Sequence, residues 1–327
     1  MSGNLRPILV HYDLYPDQVK TIGKVKKIGT AAGTYALKET DMTTEQRAWF
    51  VHVIERLHRL GFDHFAAPIR TKQGEPVTVI KGKTYYVMPW LEEQSAGILS
   101  PEERLIETSA VLHFLTEKEQ PYSDEVVQSS YQHLVDRWTK HQKELEGFAA
   151  DTEEKLYFSA FELAFLTCYR EVKQAADEAL HNLSLWKEQC QDKERFRIVL
   201  CHGKLSTSHF IDGRLLNFEQ AELDAPVRDL AVLFRSSLLR LSSQAEDPYD
   251  WLQTYEERFP LRLEEKQLLA AYLAFPESIC QSVREHRNPS PGENEAVRAQ
   301  KLEQRFHRFK ELRRLADRIA ESDGNRH

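Results

Sequence analysis

The sequence predicts an α+β fold in which a small strand-rich part precedes a larger, mainly α-helical part. Three observations support this fold class. Strand patterns separated by glycine turns dominate residues 1–90, helical periodicity takes over from residue 101, and one short β-like island interrupts the helices at residues 196–231. We therefore expect two domains, residues 1–90 and residues 91–327.

Two hairpins and one helix account for the first part. The predicted strands are 24–28, 34–38, 76–80 and 84–88, and the turns lie at 29–33 and 81–83. Glycine favours such turns because it adopts positive φ without strain. Between the hairpins, apolar residues recur at three- and four-residue spacing, which predicts a helix that Thr43 or Thr44 caps and Gly61 ends.

Helices are predicted over residues 101–116, 122–148 and 152–190, which are rich in Leu, Glu, Gln and Lys. A long C-terminal helix begins at about residue 293. One face of that helix is apolar and the other is rich in arginine. We expect the apolar face to pack inside the protein and the arginines to meet an acidic partner, namely Arg298, Arg305, Arg313 and Arg318.

Composition excludes several classes of function. The formal charge of −7 and the pI near 6.0 provide no general attraction to nucleic acid. No apolar run approaches the roughly 18 residues of a membrane span, and the N-terminal residues lack the apolar stretch of a signal peptide. The four cysteines are widely spaced without a CxxC pair, so we expect reduced core residues in a protein made in the cytoplasm.

The island carries the most specific motifs. Residues 199–211 resemble the His-Gly-Asp-x-x-x-x-Asn catalytic loop of aminoglycoside/choline-kinase-like phosphotransferases. Residues 215–219 fall where that family has its metal-binding Ile-Asp-Phe-Glu/Asp segment, and residues 225–231 are similar to its later Pro-x-x-Asp-Leu-Ala segment. Three matches in the same order and at the same spacing make coincidence a poor explanation.

The chain as a whole resembles the CotS/YsxE-type spore coat proteins of endospore-forming bacteria, which are kinase-like. The resemblance includes residues 30–38, residues 85–90 and the three island motifs. It implies a protein-kinase-like bilobal fold, with a small β-rich N-lobe and a large helical C-lobe. It also implies synthesis in the mother cell, a place in the spore coat, and other spore coat proteins as partners.

The same resemblance implies a set of relict site residues. Lys38 occupies the place of the strand lysine that pairs nucleotide phosphates, and Glu45 and Met88 complete the remnant of the nucleotide site. His202 and Asp229 correspond to the residues that brace the catalytic loop. On its own, an exposed lysine at the end of a strand would explain Lys38 equally well.

The departures from the family pattern decide the expected chemistry. Lys204 replaces the catalytic Asp, His209 replaces the metal-binding Asn, and Asn217 replaces the metal-binding Asp. A protonated lysine cannot act as a base, imidazole suits zinc or copper better than Mg²⁺, and an amide carries no charge to balance the ion. Losing all three groups should forfeit most of a barrier reduction of ~8 kcal/mol or more.

A cofactor is not expected. The segment before Lys38 lacks a GxGxxG loop, so Mg²⁺·ATP binding should be weak or absent. Glu219 is the one nearby carboxylate that could hold a metal ion, although a surface or loop-anchoring role suits it better. A hydrolase triad built from Ser206, His209 and Asp212 would need a Gly-x-Ser-x-Gly elbow, which the segment lacks.

These observations favour a catalytically degenerate pseudokinase that serves as a binding or scaffold component of the spore coat. Two alternatives stay open at this point. One is an active small-molecule kinase for an amino sugar or a choline-like or homoserine-like alcohol, and the other is a nucleotide-binding switch without turnover. The sequence leaves the oligomeric state and the coat partner undetermined.

Overall fold

The computed structural model describes residues 5–93, 99–121, 125–191, 195–237, 247–290 and 292–324. The strands are β1 (Gln18–Ile22), β2 (Val25–Thr30), β3 (Gly33–Thr40), β4 (Thr78–Ile80), β5 (Lys83–Pro89), β6 (Lys118–Pro121), β7 (Arg195–Cys201), β8 (Phe210–Ile211), β9 (Arg214–Leu215) and β10 (Glu222–Asp224). The helices are α1 (Arg6–Leu9), α2 (Thr44–Arg59), α3 (Pro101–Thr116), α4 (Glu125–Glu153), α5 (Ala160–Gln191), α6 (Val227–Ser237), α7 (Pro248–Arg258), α8 (Leu263–Ala274), α9 (Glu277–Arg287) and α10 (Glu295–Gly324).

The chain forms two compact units. The first contains Met1–Thr116 and His202–Glu222, and the second contains Glu117–Cys201 and Leu223–His327. Most of the predicted catalytic-loop island therefore belongs with the strand-rich unit. The division at residue 90, which concerns the lobes of the resembling family, stays a prediction.

The first unit is built on a five-stranded antiparallel sheet in the order β1-β2-β3-β5-β4. Two-residue turns join β1 to β2 at Gly23–Lys24 and β4 to β5 at Lys81–Gly82. Lys81 and Gly82 both have positive φ, as this type of turn requires. The predicted hairpins are confirmed, and β1 is an additional edge strand that the sequence pattern did not reveal.

The two faces of this sheet are covered by different segments. Ile28, Leu37 and Val87 pack with the buried side chains of α1 and the turn that follows it. On the other face, Phe50 of α2 packs against Tyr86 with ring centroids 5.2 Å apart. The sheet is thus held between an N-terminal segment and a central helix, which fixes the face that carries Lys38.

The central helix begins as its sequence predicts. The Thr43 hydroxyl accepts a hydrogen bond from the Gln46 backbone at 3.2 Å, and the Gln46 side chain accepts from the Thr43 backbone at 2.9 Å. This reciprocal capping box satisfies two backbone donors that would otherwise lack partners. Gly61, with φ of +69°, follows the end of the helix.

The second unit is mainly helical. Strands β6 and β7 pair antiparallel, and β10 joins the other side of β7. Trp138 of α4 is fully buried and stacks on Phe275 at 4.5 Å. The four cysteines are free and buried, as expected from their spacing. Within the described residues, no helix is long and apolar enough to cross a membrane.

The boundary between α4 and α5 differs from the prediction. Helix α4 continues to Glu153, and the Thr152 hydroxyl donates to the Phe148 carbonyl at 2.7 Å inside it. The chain then leaves the helix for residues 154–159 before α5 begins. The predicted start of α4 at residues 122–124 lies outside the described residues.

The expected role of the arginine face of α10 is not supported by its contacts. Each of the four arginines that were expected to meet a partner is already engaged within the chain: Arg298 with the Glu293 carbonyl, Arg305 with Glu285, Arg313 with Glu178 and Arg318 with Asp247. The apolar face is buried, as expected, at Leu302, Phe309, Leu312, Leu315 and Ile319. Helix α10 is therefore part of the core of the second unit.

A buried ion pair connects β7 to the start of α8. The Arg197 guanidinium donates to the Glu265 carboxylate, with Nε to Oε1 at 2.8 Å, and to the Pro260 carbonyl at 2.8 Å. The side chains are only 7% and 3% exposed. The guanidinium also lies over the Phe259 ring at 4.0 Å. Such a pair stabilises the fold only when both partners and their hydrogen bonds are present, because each charge alone would be costly to bury.

We predict that Arg197→Met lowers the free energy of unfolding by about 3–5 kcal/mol, because it leaves the Glu265 carboxylate buried without its cation. Arg195→Met on the same strand is the matched control, since the Arg195–Glu119 pair is exposed and should contribute less than about 1 kcal/mol. Urea denaturation of both variants measures the difference. Equal losses would contradict a structural role for the buried pair.

Candidate functional site

The register of the sheet places Lys38 directly opposite Tyr86. Strands β3 and β5 pair antiparallel, so these two side chains share one face of the sheet with the next pair, Ala36 and Met88. Lys38 Nζ lies 5.8 Å from the centre of the Tyr86 ring. Tyr86 and Met88 are buried, and the Lys38 side chain is 19% exposed.

The segment after the catalytic-loop motif is fixed against the same unit. The Leu215 backbone donates to the His64 carbonyl at 2.9 Å, and the Ala66 backbone donates to the Leu215 carbonyl at 2.9 Å. On α2, the Trp49 indole donates to the Ala221 carbonyl at 2.5 Å. These contacts hold residues 215–221 in place at both ends.

Between those anchors, Asn217 and Glu219 meet the sheet lysine. Lys38 Nζ donates to Asn217 Oδ1 at 2.7 Å and forms an ion pair with the Glu219 carboxylate. The Tyr86 hydroxyl donates to Glu219 Oε1 at 2.6 Å. Asn217 has φ of +66°, a left-handed conformation that asparagine tolerates better than most residues. Four side chains thus form one closed polar cluster, the Lys38 cluster, made of Lys38, Tyr86, Asn217 and Glu219.

The electrostatics of the Lys38 cluster favour the ion pair. Burial alone would raise the pKa of Glu219, but the Lys38 ammonium and the hydrogen bonds from Lys38 and Tyr86 outweigh it and hold that pKa below its ordinary value. Burial, followed by the neighbouring Glu219 charge, raises the pKa of Tyr86 well above its usual range. At neutral pH the cluster contains a carboxylate, an ammonium and a neutral phenol, so its formal charge is zero.

Glu45 and Met88 occupy different environments. Glu45 is exposed in the first turn of α2, where hydrogen bonds from its own backbone and from the Thr43 hydroxyl lower its pKa. The ion-pair partner of Lys38 is Glu219 and not Glu45. Met88 is buried opposite Ala36 on the same face of the sheet as Lys38.

His202 connects the catalytic-loop motif to the segment that follows it. Its Nε2 is 2.6 Å from the Leu216 carbonyl, and its Nδ1 accepts a hydrogen bond from the Lys204 backbone at 3.3 Å. Because the first contact requires an N–H and the second requires a lone pair, these contacts assign the proton to Nε2. The buried ring also packs edge-on against Phe218 at 4.8 Å. Asp229, the second predicted bracing residue, is buried in α6 of the second unit.

Lys204 and His209 make different contacts within the catalytic-loop motif. The His209 ring turns back onto its own loop, with Nδ1 2.9 Å from the Lys204 carbonyl, where it must donate. The Lys204 side chain is exposed, and its ammonium forms no ion pair within the described part of the chain. The roles assigned to these two residues and to Asn217 stay predictions.

A comparison with protein-family models identifies the family. The model described as "Spore coat putative kinase YutH" matches residues 6–318, nearly the whole chain. The chain belongs to the YutH family. The predicted resemblance to kinase-like spore coat proteins is thereby confirmed. No curated protein sequence matches this YutH-family chain significantly.

Solved structures show the fold of this YutH-family chain. An aminoglycoside phosphotransferase from Alicyclobacillus acidocaldarius matches it with a TM-score of 0.75 and 19% identity over 96% of each chain. The AMP-bound spectinomycin phosphotransferase APH(9)-Ia has a TM-score of 0.63 and 14% identity over 94% of this chain and 96% of that one. Amicoumacin kinase hAmiN has a TM-score of 0.57 and 14% identity over 94% and 92%. The predicted protein-kinase-like fold is confirmed.

Sequence reasoning missed two contributors to the site. The sequence pattern identifies Tyr86 only as part of a strand. Tyr86 lies two residues before Met88, which is one strand repeat, so both side chains lie on the same face of the sheet. Trp49 was not distinguished from the other residues of the α2 helix. The position of Trp49 beside the apolar stripe of the helix could have indicated a contact with another segment, because a buried indole N–H needs a hydrogen-bond acceptor.

Gly203 is required by the geometry of the loop. Its φ is +80°, and a Cβ atom added there would overlap the Gln220 carbonyl. We predict that Gly203→Ala lowers the free energy of unfolding by about 2–5 kcal/mol, the sum of about 1–2 kcal/mol for left-handed backbone and about 1–3 kcal/mol for overpacking. Chemical denaturation provides the measurement.

Gly213→Ala is the matched control for this prediction. Gly213 has a similar φ of +74°, but its Cβ would meet only the flexible Arg104 side chain at 3.7 Å. The control should therefore lose only the backbone contribution, about 1–2 kcal/mol. A Gly203→Ala variant no less stable than the control would show that the loop moves away from Gln220 without cost.

Proposed function

We propose that this YutH-family protein is a pseudokinase component of the spore coat, which acts by binding other coat proteins and not by phosphoryl transfer. We further propose that it is made in the mother-cell cytoplasm and then incorporated into the coat. The observation that carries the proposal is the Lys38 cluster. The lysine that would hold nucleotide phosphates is instead bound to Glu219, the neighbouring carboxylate that would otherwise be available to a metal ion.

Mg²⁺ does not suit the groups of this cluster. The ion prefers several oxygen ligands and usually one or two carboxylates. Here Asn217 offers an uncharged amide oxygen that already accepts from Lys38, and Glu219 is neutralised by Lys38 and accepts from Tyr86. A metal ion at this position would face the Lys38 ammonium and would have to displace it.

The catalytic-loop position supports the same proposal. Phosphoryl transfer to a hydroxyl uses a carboxylate that orients or deprotonates the acceptor. Lys204 presents an exposed cation at the corresponding place in the sequence, and a protonated lysine has no lone pair to accept the proton. The fold is therefore kept while the groups for the reaction are replaced.

We predict no phosphotransfer from ATP and Mg²⁺ to amino sugars, choline-like alcohols or homoserine-like alcohols. The purified protein is assayed by release of ADP, with an active aminoglycoside phosphotransferase as the positive control. Turnover that Lys38→Ala abolishes would overturn the proposal and favour the small-molecule kinase.

In a sporulating cell, a fluorescent fusion of the exposed-site variant Lys204→Ala should gather around the forespore as the wild type does. Diffuse signal from the wild type would exclude the coat assignment.

We also predict that binding of Mg²⁺·ATP is weak or absent, and that any residual affinity for ATP is the same with and without Mg²⁺. The reason is that the cluster lacks a free carboxylate for the ion. Isothermal titration calorimetry with ATP, in Mg²⁺ and in EDTA, gives the two affinities. Micromolar, Mg²⁺-dependent binding would contradict the prediction.

Variants that introduce carboxylates at positions 204 and 217 provide a second test of Mg²⁺·ATP binding. Lys204→Asp with Asn217→Asp should raise the affinity for Mg²⁺·ATP, because the carboxylate introduced at position 217 would add a charged ligand for the ion. Lys204→Asn with Asn217→Gln changes the same positions without adding a carboxylate and should leave the affinity unchanged. An equal gain in both double variants would show that charge at these positions does not limit binding.

A further inference from the structure

The connection between α4 and α5 exposes a run of large apolar side chains. Leu156 is 86% exposed, Tyr157 is 83% exposed and Phe158 is 47% exposed, and Leu163 in the first turn of α5 is 59% exposed. We call these four residues the apolar knob. Consecutive exposed apolar residues of this size are unusual on a monomer and mark interaction surfaces.

The residues that flank the apolar knob are anchored by contacts within the second unit. Ser159 and Glu162 cap the start of α5: the Ser159 backbone donates to Glu162 Oε2 at 2.9 Å, and the Glu162 backbone donates to the Ser159 hydroxyl at 3.3 Å. Lys155 forms an ion pair with the buried Glu162 carboxylate. Phe161 is buried and stacks on His286 at 4.1 Å. A preformed surface loses little entropy when a partner binds it.

A shallow groove of about 270 Å³ begins where the apolar knob ends. Helices α5 and α10 form it, and its lining combines apolar and small side chains with three ionisable ones, Glu303, His307 and Lys310; the others are Ala164, Thr167, Cys168, Leu302 and Phe306. Leu163 of the knob and Thr167 of the groove are one helical turn apart, and the Thr167 hydroxyl donates to the Leu163 carbonyl at 2.8 Å. Knob and groove therefore lie next to each other along one face of α5.

This arrangement matches itself under two-fold rotation. The knob lies at the N-terminal side of Leu163 and the groove lies at the C-terminal side. If two copies of α5 meet antiparallel near Leu163, the knob of each copy reaches the groove of the other. Such an isologous interface repeats each contact twice, which is the commonest symmetry of homo-oligomers.

Charged residues lie near both surfaces. Glu153 and Glu154 are exposed next to the knob, and neither forms an ion pair within the described residues. The groove is lined by one acidic residue, Glu303, and one basic residue, Lys310, whose ammonium lies over the Phe306 ring at 4.9 Å and can meet the knob carboxylates of the second copy. Opposite charges at the rim of an interface set its orientation. The carboxylates also make an anionic membrane surface a poor alternative occupant.

We propose that this chain forms a two-fold symmetric dimer in which the apolar knob of each copy fills the α5–α10 groove of its partner. The occupant of the groove is thus a second copy of the same chain. The proposal concerns only the second unit and does not depend on whether phosphoryl transfer is lost. A kinase-active protein could dimerise in this way, and a monomeric pseudokinase could still enter the coat.

Sedimentation equilibrium of the full chain tests the dimer over about 1–100 µM protein, a range around micromolar dissociation constants. The wild type should be dimeric at the upper end. Tyr157→Ser with Leu156→Ser removes the knob, and Thr167→Arg fills the groove. Each should weaken dimerisation at least tenfold. As a control, Leu263→Ser replaces a leucine that is 47% exposed on α8 and should leave the dissociation constant of the dimer unchanged. Circular dichroism checks that each variant is folded.

Mixing the two defective variants gives a decisive second measurement. A knob variant paired with a groove variant keeps one intact knob and one intact groove that face each other, so the mixture should form heterodimers although neither variant dimerises alone. Failure of the mixture to associate would overturn the knob-in-groove geometry. A wild type that stays monomeric at 100 µM would overturn the dimer, even if the knob bound another coat protein.

Discussion

The ion pair between Lys38 and Glu219 is the interaction on which the functional site depends. Both side chains are largely removed from water, and neither could keep its charge there without a partner. Their attraction joins the sheet to the segment 215–221, which is separated from Lys38 by more than half of the chain. Tyr86 and Asn217 complete the coordination by supplying a donor to the carboxylate and an acceptor to the ammonium. The polar groups of the cluster thus satisfy one another.

The Lys38 cluster stabilises this part of the kinase-like fold through contacts among its own side chains. The YutH-family chain shares its fold with phosphotransferase structures, and it carries Lys38 on strand β3 and His202 directly after strand β7. His202 fixes the loop through Leu216 and Lys204, and Gly203 permits the close approach to Gln220. These contacts are structural and do not require a nucleotide. Selection for the folded surface alone could therefore maintain them.

Local patterns in the sequence were sufficient for much of the fold. The α2 helix with its Thr43 cap and the hairpin turn at Lys81–Gly82 depend on residues close in sequence, and the structure confirms them. Strand β6 was missed because its sequence, Lys-Glu-Gln-Pro, has no strand preference and is extended only through pairing with β7. Glu219 as the partner of Lys38 was also missed, because a contact between residues 181 positions apart leaves no periodic signal. The sequence pattern predicts a helix over residues 156–158, because their apolar side chains continue the helical pattern, whereas the structure places them between α4 and α5.

The two-residue turns of the sheet have a kinetic consequence. The Gly23–Lys24 connection is too short to form a flap that folds down over the face bearing Lys38 and Met88. Closure of this turn would therefore not slow the arrival or the departure of a molecule that binds this face. Any such ligand should exchange rapidly with the solvent. Occupancy would then follow its concentration closely, as in a buffer or a sensor, whereas an enzyme must retain its substrate through a chemical step.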